Sequence, residues 1–183
     1  MIEPRRPDPF DFSDGGGTPI PFHNQFPAFD QVPGGVKASV KIRMTGHTAT
    51  DFERGNQAFA EELRASPALR QQFNISETKA KEMFHADGTV INSKFQDWIS
   101  DDLNMVWHHH PDLKTMQLVP TPIHGHIGRT LPHQGGAAYS RGVLNKAKEL
   151  GILKTNQEIE DGLSDALITQ LKARNVIPSG WPF

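Results

Sequence analysis

The sequence predicts an α+β domain, with a short β-hairpin running into a helix and most of the remaining chain helical. Three observations predict it. Residues 104–110 carry Met105, Val106 and Trp107, Pro111-Asp112 supplies turn chemistry, and Met116 to Val119 reads as the returning strand. Directly afterwards Thr121-Pro122 has the form of a helix start, with Thr121 as N-cap and Pro122 at the first helical position. The segments on either side of this unit carry helical spacing and cap signals.

Taken in order, residues 1–36 hold seven prolines, the run Gly15-Gly16-Gly17 and Gly34-Gly35, with no helical or strand period. The stretch reads as a linker or tether, the junction to a larger delivery protein. The alternative is an extended arm packed on the domain through Phe10, Phe12, Phe22, Phe26 and Phe29. From Val36 to Met44, apolar residues at even positions alternate with Lys37, Ser39, Lys41 and Arg43, the pattern of a half-buried strand. Its basic outer face reads as a solvated surface, or as a stripe that contacts phosphate.

Thr50-Asp51-Phe52-Glu53 is a capping-box pattern and predicts a helix over 51–64, with Phe52, Phe59, Ala60 and Leu63 on one face. Ser66-Pro67 starts a shorter helix to about Phe73, and Ser76 caps a third to about His85. Ala86-Asp87-Gly88 is a turn. Phe95, Trp98, Ile99 and Leu103 then predict a helix or irregular segment packed under the hairpin. Beyond Gly136, residues 137–150 read as a helix interrupted at Gly142. Thr155-Asn156-Gln157-Glu158 is a second capping box, and the apolar spacing after it predicts one helix to about Arg174. Residues 37–183 are thus expected to form a single domain.

Bulk composition narrows the classes. The chain has 183 residues, 36% of them hydrophobic, which suits one domain with some loosely packed sequence. It has no cysteine, which excludes disulfide and thiolate-zinc scaffolds. No apolar run approaches the ~18 residues of a membrane span, and the first residues lack the apolar stretch of a signal peptide. The net charge of −2 argues against a passive nucleic-acid binder. It argues less against an enzyme whose bound cation supplies local positive charge.

Six of the nine histidines fall between residues 107 and 136: His108, His109, His110, His124, His126 and His133. Packing gives little reason for such a concentration, whereas imidazole is a common ligand of zinc-like ions. Side chains alternate along a strand, so His108 and His109 must point to opposite faces. One can hold a metal while its neighbour faces a substrate. Trp107 has no such chemistry and reads as an apolar plug beneath the site. His47 and His85 are isolated and read as surface groups. Asp112 and Asp101-Asp102 read as solvated turn or helix-start charges.

The run Trp107-His108-His109-His110, the strand Met116-Gln117-Leu118-Val119-Pro120, Ile123-His124-Gly125 and the later His133-Gln134-Gly135-Gly136 resemble the WHH group of the HNH/endonuclease VII superfamily. Weaker similarity extends upstream through Asp51-Phe52, Asn56 and Ser66-Pro67-Ala68-Leu69, so that it spans about residues 37–140. The resemblance implies a ββα-metal (HNH, or His-Me finger) core. It implies a nuclease toxin domain at the C-terminal end of a bacterial polymorphic toxin, delivered by a specialised secretion system and acting in the target cytoplasm. It also implies a DNA substrate and a cognate immunity protein.

Carried over residue by residue, the resemblance makes His108 a metal ligand, His109 the general base and His124 a second ligand. The family's next histidine falls five residues later, where this chain has Arg129. Three readings follow, in order of preference: His133 is the third ligand after a four-residue insertion, His126 takes that place, or Arg129 contacts phosphate beside a weakened metal site. Gln117 is a candidate for holding the base imidazole in its tautomer. His110 shares a strand face with His108 and reads mainly as a polar strand end. A shell of three imidazoles favours zinc or nickel, with magnesium or manganese as alternatives.

Two other functions compete with a toxin DNase. One is an HNH nuclease of repair or phage defence with the same chemistry. The other is a non-enzymatic interaction domain with a structural zinc, which would need a closed set of four ligands and no free base.

Overall fold

The computed structural model describes residues 20–23, 26–124 and 136–177 of the chain. Its centre is a three-stranded antiparallel sheet in the order β3-β5-β4, built from β3 (Ala38–Lys41), β4 (Met105–His109) and β5 (Thr115–Pro120). The expected hairpin is β4-β5, and the strand read over 36–44 is β3, shorter at both ends. Two further short strands, β1 (Phe22–His23) and β2 (Phe26–Pro27), pair only with each other.

Register fixes what each face of the sheet carries. Trp107 lies opposite Leu118, and His109 opposite Met116, which in turn faces Val40. This row faces the main core, together with α1 (Thr48–Ala65), α4 (Asn92–Asp97) and α6 (Gly136–Glu149). His108 lies opposite Gln117, which faces Ser39, and Val106 lies opposite Val119. This second face is closed by the arm that precedes β3. Ile20, Phe29 and Val32 bury against Val119, with Val36 and Ile123 packed beside them.

The helices follow local chemistry where caps are strong. Ser66 and Ser76 each accept a backbone N–H in the first turn of α2 (Pro67–Gln72) and α3 (Glu77–Met83). Thr155 and Glu158 form the capping box that starts α7 (Asn156–Asp161). Three expectations need correction. Helix α1 begins at Thr48 with His47 as N-cap and no side-chain cap, so Thr50 lies inside the first turn and cannot cap a helix from 51, and the Asp51 carboxylate turns back to Thr45 and Gly46. Helix α6 runs through Gly142 without interruption.

The segment read as one helix from Thr155 to Arg174 is two helices. Gly162 (φ 83°) breaks it, and Ser164 caps α8 (Asp165–Ala173). A side chain at Gly162 would meet the carbonyls of Arg43 and Met44 at 2.7 and 2.8 Å, so backbone contact sets the break. Helix α4 passes into a π-helical turn over Trp98–Asp102, where Leu103 N–H reaches the Trp98 carbonyl. Helix α5 (Thr121–His124) follows β5 directly, as the Thr121-Pro122 signal predicts. No described helix is long and apolar enough to cross a membrane.

Candidate active site at the end of β4

Trp107 sets the position of β4. Its ring is 1% exposed and lies against Gly55 of α1, and its Nε1–H donates to Asn56 Oδ1 at 2.8 Å. Asn56 Nδ2 in turn donates to Gln96 Oε1 at 3.3 Å. The tryptophan is therefore more than apolar filling, since its one polar atom fixes the strand to a particular turn of α1.

Two residues further on, the same helix engages His109. His109 Nε2 lies 3.1 Å from Asp51 Oδ2, with Asp51 fully buried and His109 7% exposed. Asp51 also accepts hydrogen bonds from the backbone N–H of Thr45 (2.8 Å), the Thr45 hydroxyl (2.9 Å) and the backbone N–H of Gly46 (3.0 Å). Burial opposes ionisation of this carboxyl, but the hydrogen bonds from His109 and Thr45 outweigh it and hold its pKa below the ordinary value. An ionised carboxylate only accepts, so Nε2 carries the hydrogen and Nδ1 is left with its lone pair. The Phe52 ring lies 5.9 Å from the imidazole, at a 30° tilt.

Glycines bring the last part of the chain up to this pair. A Cβ on Gly136 would sit 2.4 Å from His109 Cβ and 2.7 Å from its carbonyl oxygen. The second glycine of the Gly135-Gly136 pair is thus what lets α6 start against the histidine. Gly46 (φ 74°) lies equally close to α6, where a Cβ would meet Arg141 N at 2.4 Å.

The opposite face of β4 presents His108, 2% exposed. Its ring meets Phe29 edge-on at 4.8 Å and His124 at 5.4 Å, and Phe29 stacks on His124 at 5.5 Å. Strand alternation thus separates His108 from His109 as expected, and α5 returns His124 to the His108 side. Gln117 is 5% exposed on this same face, opposite His108. Its side chain turns to the face opposite that of His109, whose imidazole is met instead by Asp51. That correction gives the holding role to Asp51, 58 residues away in sequence. Nothing local to the histidine cluster could have revealed it. The sequence trace was the weaker resemblance through Asp51-Phe52 and Asn56, which marked the residue without giving it a role.

His126, Arg129 and His133 lie outside the described residues. His110 and Asp112 close the hairpin turn: the Asp112 N–H donates to His110 Nδ1, and the Asp112 carboxylate accepts the N–H groups of Lys114 and Thr115. Burial opposes ionisation of Asp112, and its contacts with His110, Thr115 and Lys114 outweigh it, driving its pKa well down. Asp101 and Asp102 are exposed, with Asp102 paired to Lys79, and His47 and His85 are exposed, His47 as the N-cap of α1 beside Glu160.

Among the described residues no three His, Asp or Glu side chains come together as a metal ion would need. His108 and His124 nevertheless fit as two of its ligands. They are adjacent imidazoles on the strand and helix of one ββα unit. Between them and β3 lies a buried amide, Gln117, whose Oε1 has no hydrogen-bond partner among the described residues. A buried acceptor in that state suits a cation.

Residues 100–142, which hold β4, β5, α5 and the first half of α6, match the family model described as WHH, a nuclease of the HNH/ENDO VII superfamily with conserved WHH. The mixed α/β architecture with its small antiparallel sheet is that of an HNH-type ββα nuclease domain, and the match supports a nuclease function. No curated protein and no solved structure matches the chain.

Proposed function

We propose that the chain is a metal-dependent endonuclease that hydrolyses DNA, with His109 as general base and with His108 and His124 among the ligands of a divalent ion. The observation that carries this reading is the opposed setting of the two adjacent histidines. His108 turns to His124 on one face of β4, and His109 turns to an ionised Asp51 on the other.

When bound, a divalent ion supplies positive charge at the scissile phosphate and on the departing oxygen. Zinc and nickel suit the imidazoles, and manganese or magnesium would be served by additional oxygen donors. The chain's own residues do the proton work. Asp51 accepts the Nε2 hydrogen of His109 and so keeps Nδ1 as the atom that takes a proton from the attacking water. As the imidazole becomes charged, the Asp51 carboxylate beside it balances that charge, while Thr45 and Gly46 keep Asp51 from turning away. His133 or His126 would complete the ligand set, or Arg129 would contact phosphate.

The family resemblance extends the proposal to a toxin: an effector delivered from a larger protein into a neighbouring cell and neutralised by an immunity protein. The resemblance to a C-terminal toxin domain supports that part.

The test is supercoiled plasmid incubated with the protein and zinc, nickel, manganese or magnesium, with and without chelator. Cleavage that needs an ion is expected, and His109→Gln should lower it about 10²–10⁴-fold with bound metal retained. Near wild-type cleavage by that variant would remove His109 as base. Silence with all four ions would remove the nuclease reading. Expressed in a bacterial cytoplasm, the wild type should degrade chromosomal DNA and arrest growth, and His109→Gln should do neither.

A further inference from the structure

The buried amide of Gln117 carries a second inference, which rests on the metal-dependent reading above. Gln117 occupies the middle strand of the sheet, between Ser39 on β3 and His108 on β4, with its side chain on their common face. It is 5% exposed, and Oε1 is fully enclosed with no hydrogen-bond partner among the described residues. Leaving such an acceptor unmet carries its full desolvation cost, and native interiors seldom tolerate it. A leucine or methionine would fill the same volume at no such cost.

What surrounds the amide narrows the partner it serves. Phe29, fully buried, covers this side through its contacts with His108 and His124, and Val119 is the next residue along this face of β5. Ser39, directly across on β3, is exposed. Neither the phenylalanine nor the valine can donate a hydrogen bond. The polar side chain directly opposed to it is the His108 imidazole, at the cross-strand Cβ spacing of about 4.5–5.5 Å, and His124 lies against His108, while the buried Thr115 hydroxyl on the same face is engaged by Asp112. An amide oxygen on the face that carries these two imidazoles is a mixed oxygen and nitrogen donor set for a divalent cation.

We infer that Gln117 Oε1 is an oxygen ligand of the cation held by His108 and His124, placed there by the register of β5 against β4. Gln117 thus belongs to the ion and has no part in orienting the base. An amide donor also makes the set less selective for the softest ions. Manganese should therefore bind better to the wild type than to a chain lacking this oxygen.

The experiment measures binding of zinc and manganese to the full chain by competition with a chromophoric chelator, alongside thermal unfolding of the metal-free protein. Gln117→Leu should weaken both ions about 10–100-fold, manganese more than zinc, while the metal-free midpoint stays level or rises. Gln117→Glu keeps an oxygen in place and should bind at least as tightly as the wild type, which also guards against misfolding of the leucine variant. Unchanged affinity in Gln117→Leu with a lowered metal-free midpoint would overturn the inference and make Gln117 a structural hydrogen-bonding residue. Those outcomes leave the nuclease reading standing if wild-type protein still binds an ion and cuts. A wild type that binds no ion removes both.

Discussion

At the scale of single residues, the Asp51–His109 pair makes the sharpest predictions. Asp51→Asn presents an amide N–H to Nε2, moves the imidazole hydrogen to Nδ1 and so removes the lone pair that would take a proton. Plasmid cleavage should fall about 10²–10⁴-fold while bound metal is retained. Asp51→Ala strips a buried charge from three donors and the imidazole, and should cost about 3–5 kcal/mol in urea unfolding. The lowered pKa of Asp51 also fixes the sign of the acid response. The folded carboxyl stays ionised where the unfolded one takes up a proton, so its stabilisation is complete above the ordinary carboxylate range and drains as pH falls below it. Asp112 adds the same sign. Wild-type urea midpoints should therefore fall more between pH 6 and pH 3 than those of Asp51→Asn. The opposed histidines were legible in sequence because alternation needs no partner. The role of Gln117 was not, because a returning strand read without its register leaves the face of each residue open, and one step of slip exchanges the faces.

At the scale of elements, β4 is fixed on its core face by α1 at Trp107 and His109 and by the start of α6 at His109. Trp107→Phe keeps the apolar bulk and loses the bond to Asn56, which should cost about 1–3 kcal/mol in urea unfolding. Gly136→Ala forces a methyl group into the His109 Cβ and carbonyl, so either β4 or α6 must move. A loss of about 1–3 kcal/mol is expected, with cleavage reduced about 100-fold by the displaced base. Unfolding and cleavage measured together check it. Caps made the short helices legible, since Ser66, Ser76 and Thr155 announce their own chemistry. The break at Gly162 was hidden because apolar spacing continues across it, and its cause is the backbone of residues 43–44, which no local pattern contains.

On the scale of the whole molecule, the sheet is covered unequally. The main core lies on one side, and a small cluster of Ile20, Phe29, Val32 and Val119 closes the other. Removing residues 1–36 should expose that face and the His108 ring, lower the thermal midpoint and raise binding of a hydrophobic dye. An unchanged midpoint would show that the arm contributes nothing. Composition left a linker and an arm packed through its phenylalanines both open, because this segment's apolar residues follow no period and meet the sheet through tertiary contact.

The seat of Gly46 against Arg141 has a bearing on when in synthesis the Asp51–His109 pair can assemble. Gly46 donates to the carboxylate that steadies His109, and its own place depends on a helix made 90 residues later. A nascent chain halted before residue 136 would hold Trp107, His108 and His109 yet lack the wall that keeps Thr45 and Gly46 on Asp51. Such a fragment should cleave no plasmid, so the setting of His109 waits on the last quarter of the chain although the histidines themselves are already made.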